Sequence, residues 1–251
     1  MPATPAWPPA SLPRLFVEPP LSAGAILTLD GGAANYLGAV LRLQGGAQVK
    51  LFDDESGEWL AEVVEAGKRK VVLAVITRLR PREPVPDLWL LFAPIKRGRI
   101  DWLVEKATEL GAARLQPVLT RRTIVDRLNL ERLRAHMIEA AEQCERTALP
   151  ELGDPLKLAL LLKDWPEDRL LYFADETGGE PLTASVAQGP AAILIGPEGG
   201  FSEEERASIN SLKQARPISL GPRILRADTA AVAAIALWMS AAGDWSSVPK
   251  R

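Results

Sequence analysis

From Arg14 to Arg80 the chain sets short apolar runs between turn residues. RLFVEP, AILTLD, AQVKLFDD, EWLAEVVEA and KVVLAVITRLR each read as a strand, with Gly45-Gly46 and Ser56-Gly57 as tight connections. Asn35–Leu43 (NYLGAVLRL) suits one short helix. These elements predict a compact barrel or sandwich of about 65 residues, near the small end for an independent domain. Pro81–Asp87 (PREPVPD) holds three prolines and reads as a stiff linker. Beyond it the pattern becomes strands alternating with helices. Leu88–Ile95 is an apolar strand. Ile100, Leu103, Val104 and Ala107 then recur at helical spacing, and Gly111 ends that helix. Ala113–Thr120 is a second strand. Asn129–Arg146 repeats the helical spacing, and Leu170–Ala174 is a further strand. The chain is therefore α/β: a small β domain followed by a parallel sheet with helices on both faces.

Ala191–Ile195 and Pro217–Leu220 complete five strands of that sheet, and a glycine turn follows each. Gly196-Pro197-Glu198-Gly199-Gly200 breaks the first, and Ser202 caps the next helix with Glu205 as its reciprocal partner. Gly221-Pro222 breaks the second, and Asp228 is expected to cap an Ala-rich helix over Thr229–Ala242. Ligands of open α/β sheets bind at that carboxyl edge. The first turn carries Glu198 and leads into Glu203, Glu204 and Glu205. A carboxylate beside exposed backbone favours a neutral or cationic ligand over a polyphosphate. S-adenosylmethionine, a sulfonium cation, is such a ligand; a plain tight turn is the bland alternative. The second turn places Arg223 and Arg226 beside the cap.

Composition narrows the classes. Hydrophobic residues make up 47% of 251, enough for one large core or two modest ones, and the formal net charge is −2. RNA contact must therefore come from local basic patches. Arg14, Arg42, Lys68, Arg69 and Lys70 supply one in the β domain, offset by Asp53, Asp54, Glu55, Glu58, Glu62 and Glu65. The turns Lys96-Arg97-Gly98-Arg99 and Arg121-Arg122 supply others. No apolar run approaches the ~20 residues of a membrane span. Residues 1–13 lack the features of a signal peptide and read as a flexible or surface-draped tail, so the expected compartment is cytoplasmic. One Cys and one His make no zinc site, and no metal is expected. His136 reads as packed or solvated, and Cys144 as a small core-facing hydrophobe.

GPEGGFSEEE and LGPRILRADTA, one helix and one strand apart, resemble the RsmE family of SPOUT-class methyltransferases, which act on N3 of a uridine in 16S ribosomal RNA. The likeness extends to RIDWLVEKATELGA at Arg99–Ala112, AAEQCER at Ala140–Arg146, and RLFVEP with LRLQGGAQVKLFDD. It implies a PUA-like RNA-binding β-barrel over 14–80, a linker over 81–87, and a SPOUT domain over 88–251 with a deep trefoil knot. It also implies a homodimer whose active site lies at the subunit interface, with Trp238 a possible anchor or simply core. The cofactor, S-adenosylmethionine, would sit bent in the knot. Its residues would be Ala174 and Asp175 after one strand; Ile195, Gly196, Pro197, Glu198, Gly199 and Gly200 after the next; and Leu220, Gly221, Ile224, Leu225 and Ala227 in the last loop. RNA would meet Arg14, Arg42, Lys96, Arg97, Arg99, Arg121 and Arg122. Glu142 and Gln143 would support the cofactor loop. Asp228 departs from the pattern, where Glu is expected.

The chemistry such a family performs needs no Cys nucleophile, because the N3 lone pair attacks the methyl group directly. The N3 proton must leave, and charge spreads onto O2 and O4. Arg226, then Arg223, are the candidates to stabilise it. Glu198 is a candidate to take the proton, with Asp228 read rather as a cap. Two other readings stay open: a SPOUT ribose 2′-O-methyltransferase, and a non-catalytic RNA or ribosome-assembly binding protein.

Overall fold

A computed structural model describes residues 12–67, 69–96, 98–125, 127–175 and 177–245. The tail expected over 1–13 lies almost wholly outside these residues, as do Lys68 and Arg97. The chain divides into two compact units, Met1–Pro84 with Ala141–Ala148, and Val85–Ala140 with Leu149–Arg251. The division falls inside PREPVPD. The continuous second domain expected over 88–251 is interrupted, because residues 141–148 cluster with the first unit.

The first unit runs β1 (Arg14–Phe16), β2 (Ile26–Leu29), α1 (Gly31–Asn35), a π-helical turn (Tyr36–Val40), β3 (Gln48–Asp53), β4 (Gly57–Ala66) and β5 (Val71–Arg80). The strands form one sheet in the order β1-β3-β4-β5-β2. Only the β1–β3 pair is parallel. Alternate residues Val49 and Leu51, Ala61 and Val63, and Val71, Leu73 and Val75 build the core with Leu15 and Leu37. The helix expected over Asn35–Leu43 starts earlier and widens, with Leu41 N–H donating to Tyr36 O at 2.9 Å. Gly38 allows this close packing: a Cβ there would lie 2.4 Å from Gly67 O.

Arg14 does not face solvent. Its side chain is 6% exposed and donates to Glu58 at 2.6 Å. It also donates to the carbonyls of Ala141 at 2.6 Å and Arg146 at 2.5 Å, and stands 3.7 Å over the Phe52 ring. The expectation that it binds phosphate is corrected: a buried guanidinium requires acceptors, and the returning segment provides them. Arg80 also donates to Glu58, at 3.1 Å. Burial pushes the Glu58 carboxyl up, but hydrogen bonds from Arg80 and Arg14 outweigh it and hold the group below its usual range. Glu142 accepts from Phe16 N–H at 2.9 Å, so it ties down β1 rather than a cofactor loop. Cys144 is exposed rather than core-facing, because it sits just before Glu145, whose φ of 63° turns the chain away.

The second unit contains β6 (Leu88–Phe92), α2 (Arg99–Glu109), β7 (Arg114–Leu119), α3 (Leu130–Cys144, its end in the first unit), β8 (Glu151–Leu152), β9 (Leu156–Lys157), α4 (Leu158–Lys163) and β10 (Leu170–Ala174). It continues with β11 (Glu180–Pro181), α5 (Leu182–Ser185), β12 (Ala191–Ile195), α6 (Glu203–Asn210), β13 (Ala215–Ser219) and α7 (Ala227–Ala241). The sheet order is β11-β13-β10-β12-β6-β7-β8, with β9 also paired to β7. Every pairing is parallel. Strand residues alternate between two cores. Leu90, Tyr172 and Ile193 face one core with α2 and α7, whereas Leu91, Phe173 and Leu194 face the other with α4 and α6. Trp238 lies in the first core at 1% exposure, so it anchors packing within the unit and offers no surface to a partner. Among the described residues no helix is long and apolar enough to cross a membrane.

Candidate active site

The strand order places β13, β10 and β12 side by side, so their carboxyl ends meet along one edge. A cavity of about 580 Å³ opens there, a size suited to a small-molecule ligand. Its walls come from the three strand ends and the loops after them. Ala174 ends β10 and Asp175 follows it; Ile195 ends β12, with Gly196, Pro197, Glu198 and Gly200 after it; Leu220, Gly221, Ile224, Leu225 and Ala227 follow β13. Arg223 and Arg226 line it too. Thirteen positions were expected to hold the cofactor, and the cavity gathers all but Gly199.

Gly199 points elsewhere for a physical reason. Its carbonyl accepts from the Arg122 guanidinium, and a Cβ on it would meet the Arg122 side chain at 3.4 Å. Arg121 N–H donates to Glu205 Oε1 at 2.8 Å, and the Arg121 guanidinium meets Glu204 at 2.9 Å. Glu205 in turn closes the expected capping box: its other oxygen accepts from Ser202 N–H at 2.9 Å, and Ser202 Oγ accepts from Glu205 N–H at 3.2 Å. The basic turn after β7 therefore braces the glycine turn and the start of α6. A hydrogen bond from its own backbone N–H, with help from Ser202 and Arg121, holds exposed Glu204 below its usual range.

Asp228 is not the helix cap. Arg226 occupies that position, and Asp228 sits in the first turn of α7. Its Oδ1 accepts from Thr229 N–H at 2.9 Å, and its Oδ2 pairs with Arg99 at 3.2 Å. Arg99, expected on RNA, is thereby engaged by a carboxylate. Arg223 and Arg226 differ: both are exposed at the cavity rim and make no side-chain hydrogen bond or ion pair with the described residues. Arg42 and Lys96 are also exposed. His136 faces Glu105 at 2.9 Å and lines no part of the cavity.

Sequence reasoning missed several wall residues. Phe201 is 2% exposed and backs the first turn, its ring 3.0 Å from where a Gly196 Cβ would stand. Ala230 comes one turn into α7, and Arg206 reaches in from α6. A large apolar residue directly after GPEGG signals Phe201. Nothing in the chain signals Arg206, because its reach depends on where α6 lies against β10. Among the described residues no group of three His, Cys, Asp or Glu is arranged to hold a metal ion.

A family model described as an RNA methyltransferase domain matches residues 81–239, and one described as an RNA methyltransferase PUA domain matches 29–76. The ribosomal RNA small subunit methyltransferase E of Rickettsia conorii is 33% identical over 229 residues, 89% of this chain and 93% of that protein. The chain belongs to the ribosomal RNA small subunit methyltransferase E family. Its Synechocystis member is 35% identical over 231 residues, 89% of this chain and 76% of that protein. The Neisseria gonorrhoeae member, solved bound to S-adenosyl methionine, superposes with a TM-score of 0.84 at 26% identity, covering 93% of this chain and 99% of that one. A Legionella pneumophila putative methyltransferase, solved with its cofactor SAM, also gives 0.84, at 29% identity over 92% of this chain and 98% of that one. Two family traits are thus visible in this chain: the PUA-type first unit and the parallel-sheet second unit.

Proposed function

We propose that this protein transfers a methyl group from S-adenosylmethionine to N3 of a uridine in 16S ribosomal RNA. The observation that carries the reading is the cavity at the ends of β10, β12 and β13, with two uncommitted arginines on its rim. Relatives of the same fold hold S-adenosylmethionine. The lining suits that molecule: apolar Ile195, Leu220 and Leu225 offer surface to an adenine, the glycine turns offer backbone groups, and carboxylates can face a sulfonium. When bound, the cofactor supplies a methyl group on a positively charged sulfur.

The chain's own groups position, deprotonate and stabilise. Arg226 and Arg223 would meet O2 and O4 of the uracil ring as N3 loses its proton and forms its bond to the methyl carbon. Glu198, exposed on the rim, would take that proton, since Asp228 is engaged by Arg99. RNA phosphates would meet Arg42, Lys96 and the uncommitted rim rather than Arg14, Arg99, Arg121 and Arg122. The trefoil threading, a homodimer with a shared site, a small-subunit substrate and a cytoplasmic setting belong to the same reading.

Arg226→Ala tests the catalytic assignment. A lost transition-state donor should lower kcat and kcat/KM together by about 10²–10³-fold and leave S-adenosylmethionine affinity nearly unchanged. Normal kcat with a raised KM and a salt slope shallower by about one would make Arg226 a phosphate ligand instead.

A further inference from the structure

Arg99 carries a positive charge where its own helix disfavours one. It is the first residue of α2, directly after the N-cap Gly98, and a helix N-terminus is itself partly positive. The balancing charge comes from another helix. Arg99 Nη1 donates to Asp228 Oδ2 at 3.2 Å, with side chains 35% and 14% exposed. Asp228 stands in the first turn of α7, where a carboxylate is favoured. Ile100 and Val104 of α2 share one core with Ala231 and Ile235 of α7, and the ion pair joins the first turns of the two helices.

The start of α7 lacks the usual fastening. Its N-cap is Arg226, whose side chain makes no capping hydrogen bond. A capping side chain normally accepts from the second or third N–H of its helix. Here Asp228 Oδ1 takes the third, from Thr229 at 2.9 Å, and Arg99 holds the other oxygen. Arg99 leaves from a fixed frame. Asp101 Oδ2 accepts from Gly98 N–H at 3.3 Å and from Arg132 of α3 at 2.7 Å, which pins the first turn of α2. Contacts thus run from α3 through α2 to the residue two positions after Arg226. The Arg226 carbonyl accepts from Ala230 N–H at 2.8 Å, so the backbone of Arg226 goes where the first turn of α7 goes. We propose that Arg99 is a positioning residue for methyl transfer: through Asp228 it fixes the first turn of α7, and so the place from which the Arg226 side chain reaches the substrate base. The proposal rests on the reading of Arg226 as the group that meets the uracil oxygens. Neither Arg99 nor Asp228 lines the cavity, and both act through Arg226.

The test is a double-mutant cycle on the full chain, with rates measured on small ribosomal subunits that lack the modification. Arg99→Ala should lower kcat by about 10- to 100-fold, since a misplacement of about 1 Å can cost about 10²-fold. S-adenosylmethionine affinity and the KM for the subunit should stay within about twofold, as for a change off the contact. Asp228→Asn keeps an oxygen for Thr229 and removes the charge, so it should cause the same loss of kcat. Arg99→Lys should recover part of it, because it keeps the charge but not the fork. In an Arg226→Ala background, Arg99→Ala should change kcat by less than about twofold, because groups that act as a unit are not additive. No loss from Arg99→Ala, the full loss repeated in the Arg226→Ala background, or a salt slope of RNA binding shallower by about one would overturn the proposal. The two readings fail separately. If Arg226→Ala lowers kcat and the Arg99→Ala loss simply adds to it, only the positioning role falls. If Arg226→Ala leaves kcat intact, the catalytic reading of Arg226 falls, and the positioning role with it.

Discussion

Replacing Gly196 by alanine tests the first glycine turn through one contact. The φ of Gly196 lies outside the left-handed region, so alanine can adopt the backbone, and the effect must come from the added methyl. That carbon would stand 3.0 Å from Phe201 Cζ, 3.1 Å from Cε2 and 3.4 Å from Cε1. Ordinary carbon contacts begin at about 3.5–4.0 Å, so ring and turn must part by roughly half an ångström or more. The ring cannot swing away, because it is 2% exposed and packs in the core with Leu194 and Ile209. Overpacking of this kind costs about 1–3 kcal/mol. If the turn moves rather than the ring, S-adenosylmethionine loses the same order of free energy, about 5- to 150-fold in Kd. Calorimetry and thermal unfolding of Gly196→Ala measure the two shares. Adding Phe201→Leu removes the ring edge and should restore affinity, with a coupling of about 0.5–3 kcal/mol. Wild-type affinity and stability in the single variant, or strict additivity in the double, would refute the reasoning.

Gly199→Ala, three residues along the same turn, should be nearly neutral for cofactor affinity, because its methyl meets only the flexible Arg122 side chain, at 3.4 and 3.7 Å. Arg122→Ala should raise the Kd for S-adenosylmethionine severalfold, since it frees the Gly199 carbonyl, and should leave the salt slope of RNA binding unchanged; a slope shallower by about one would return Arg122 to the RNA. Glu58→Gln should destabilise the protein by about 3–5 kcal/mol at neutral pH, because Arg14 stays buried without its counter-charge. Glu58 titrates below its usual range when folded, so its contribution is complete above the unfolded value of about 4.3 and fades as pH falls through the folded one. The Tm gap between wild type and Glu58→Gln should hold above about pH 5 and close in stronger acid, and a gap independent of pH would contradict the ion-pair account.

The long elements were legible because each carries its own pattern. Leu170–Ala174 and Ala191–Ile195 are unbroken apolar runs, and α2 repeats its core residues at helical spacing. The strands Glu151–Leu152, Leu156–Lys157 and Glu180–Pro181 hold two residues each, too few to show a period. The cavity walls were legible because glycine turns mark the ends of their strands. Charges were read less well, since a sequence gives the sign of a side chain and not its partner. Arg14 looked like a surface cation, yet its acceptors lie 127 and 132 residues away. Arg99, Arg121 and Arg122 found Asp228, Glu204 and the Gly199 carbonyl in the same way. Cys144 shares the spacing of the buried face of α3, but the helix ends there and the position opens to solvent. Asp228 followed the expected order of cap and helix; α7 simply begins one residue before it.

Methylation of a base nitrogen of ribosomal RNA at this site can be read from the product. Incubating the protein with S-adenosylmethionine and small ribosomal subunits lacking the modification, then digesting the 16S RNA to nucleosides for mass spectrometry, tests it most directly. The expected product is one new nucleoside, 3-methyluridine, whose added mass stays with the base on fragmentation. A methyl group that stays with the ribose, or no methylation by a protein that binds both cofactor and RNA, would contradict it.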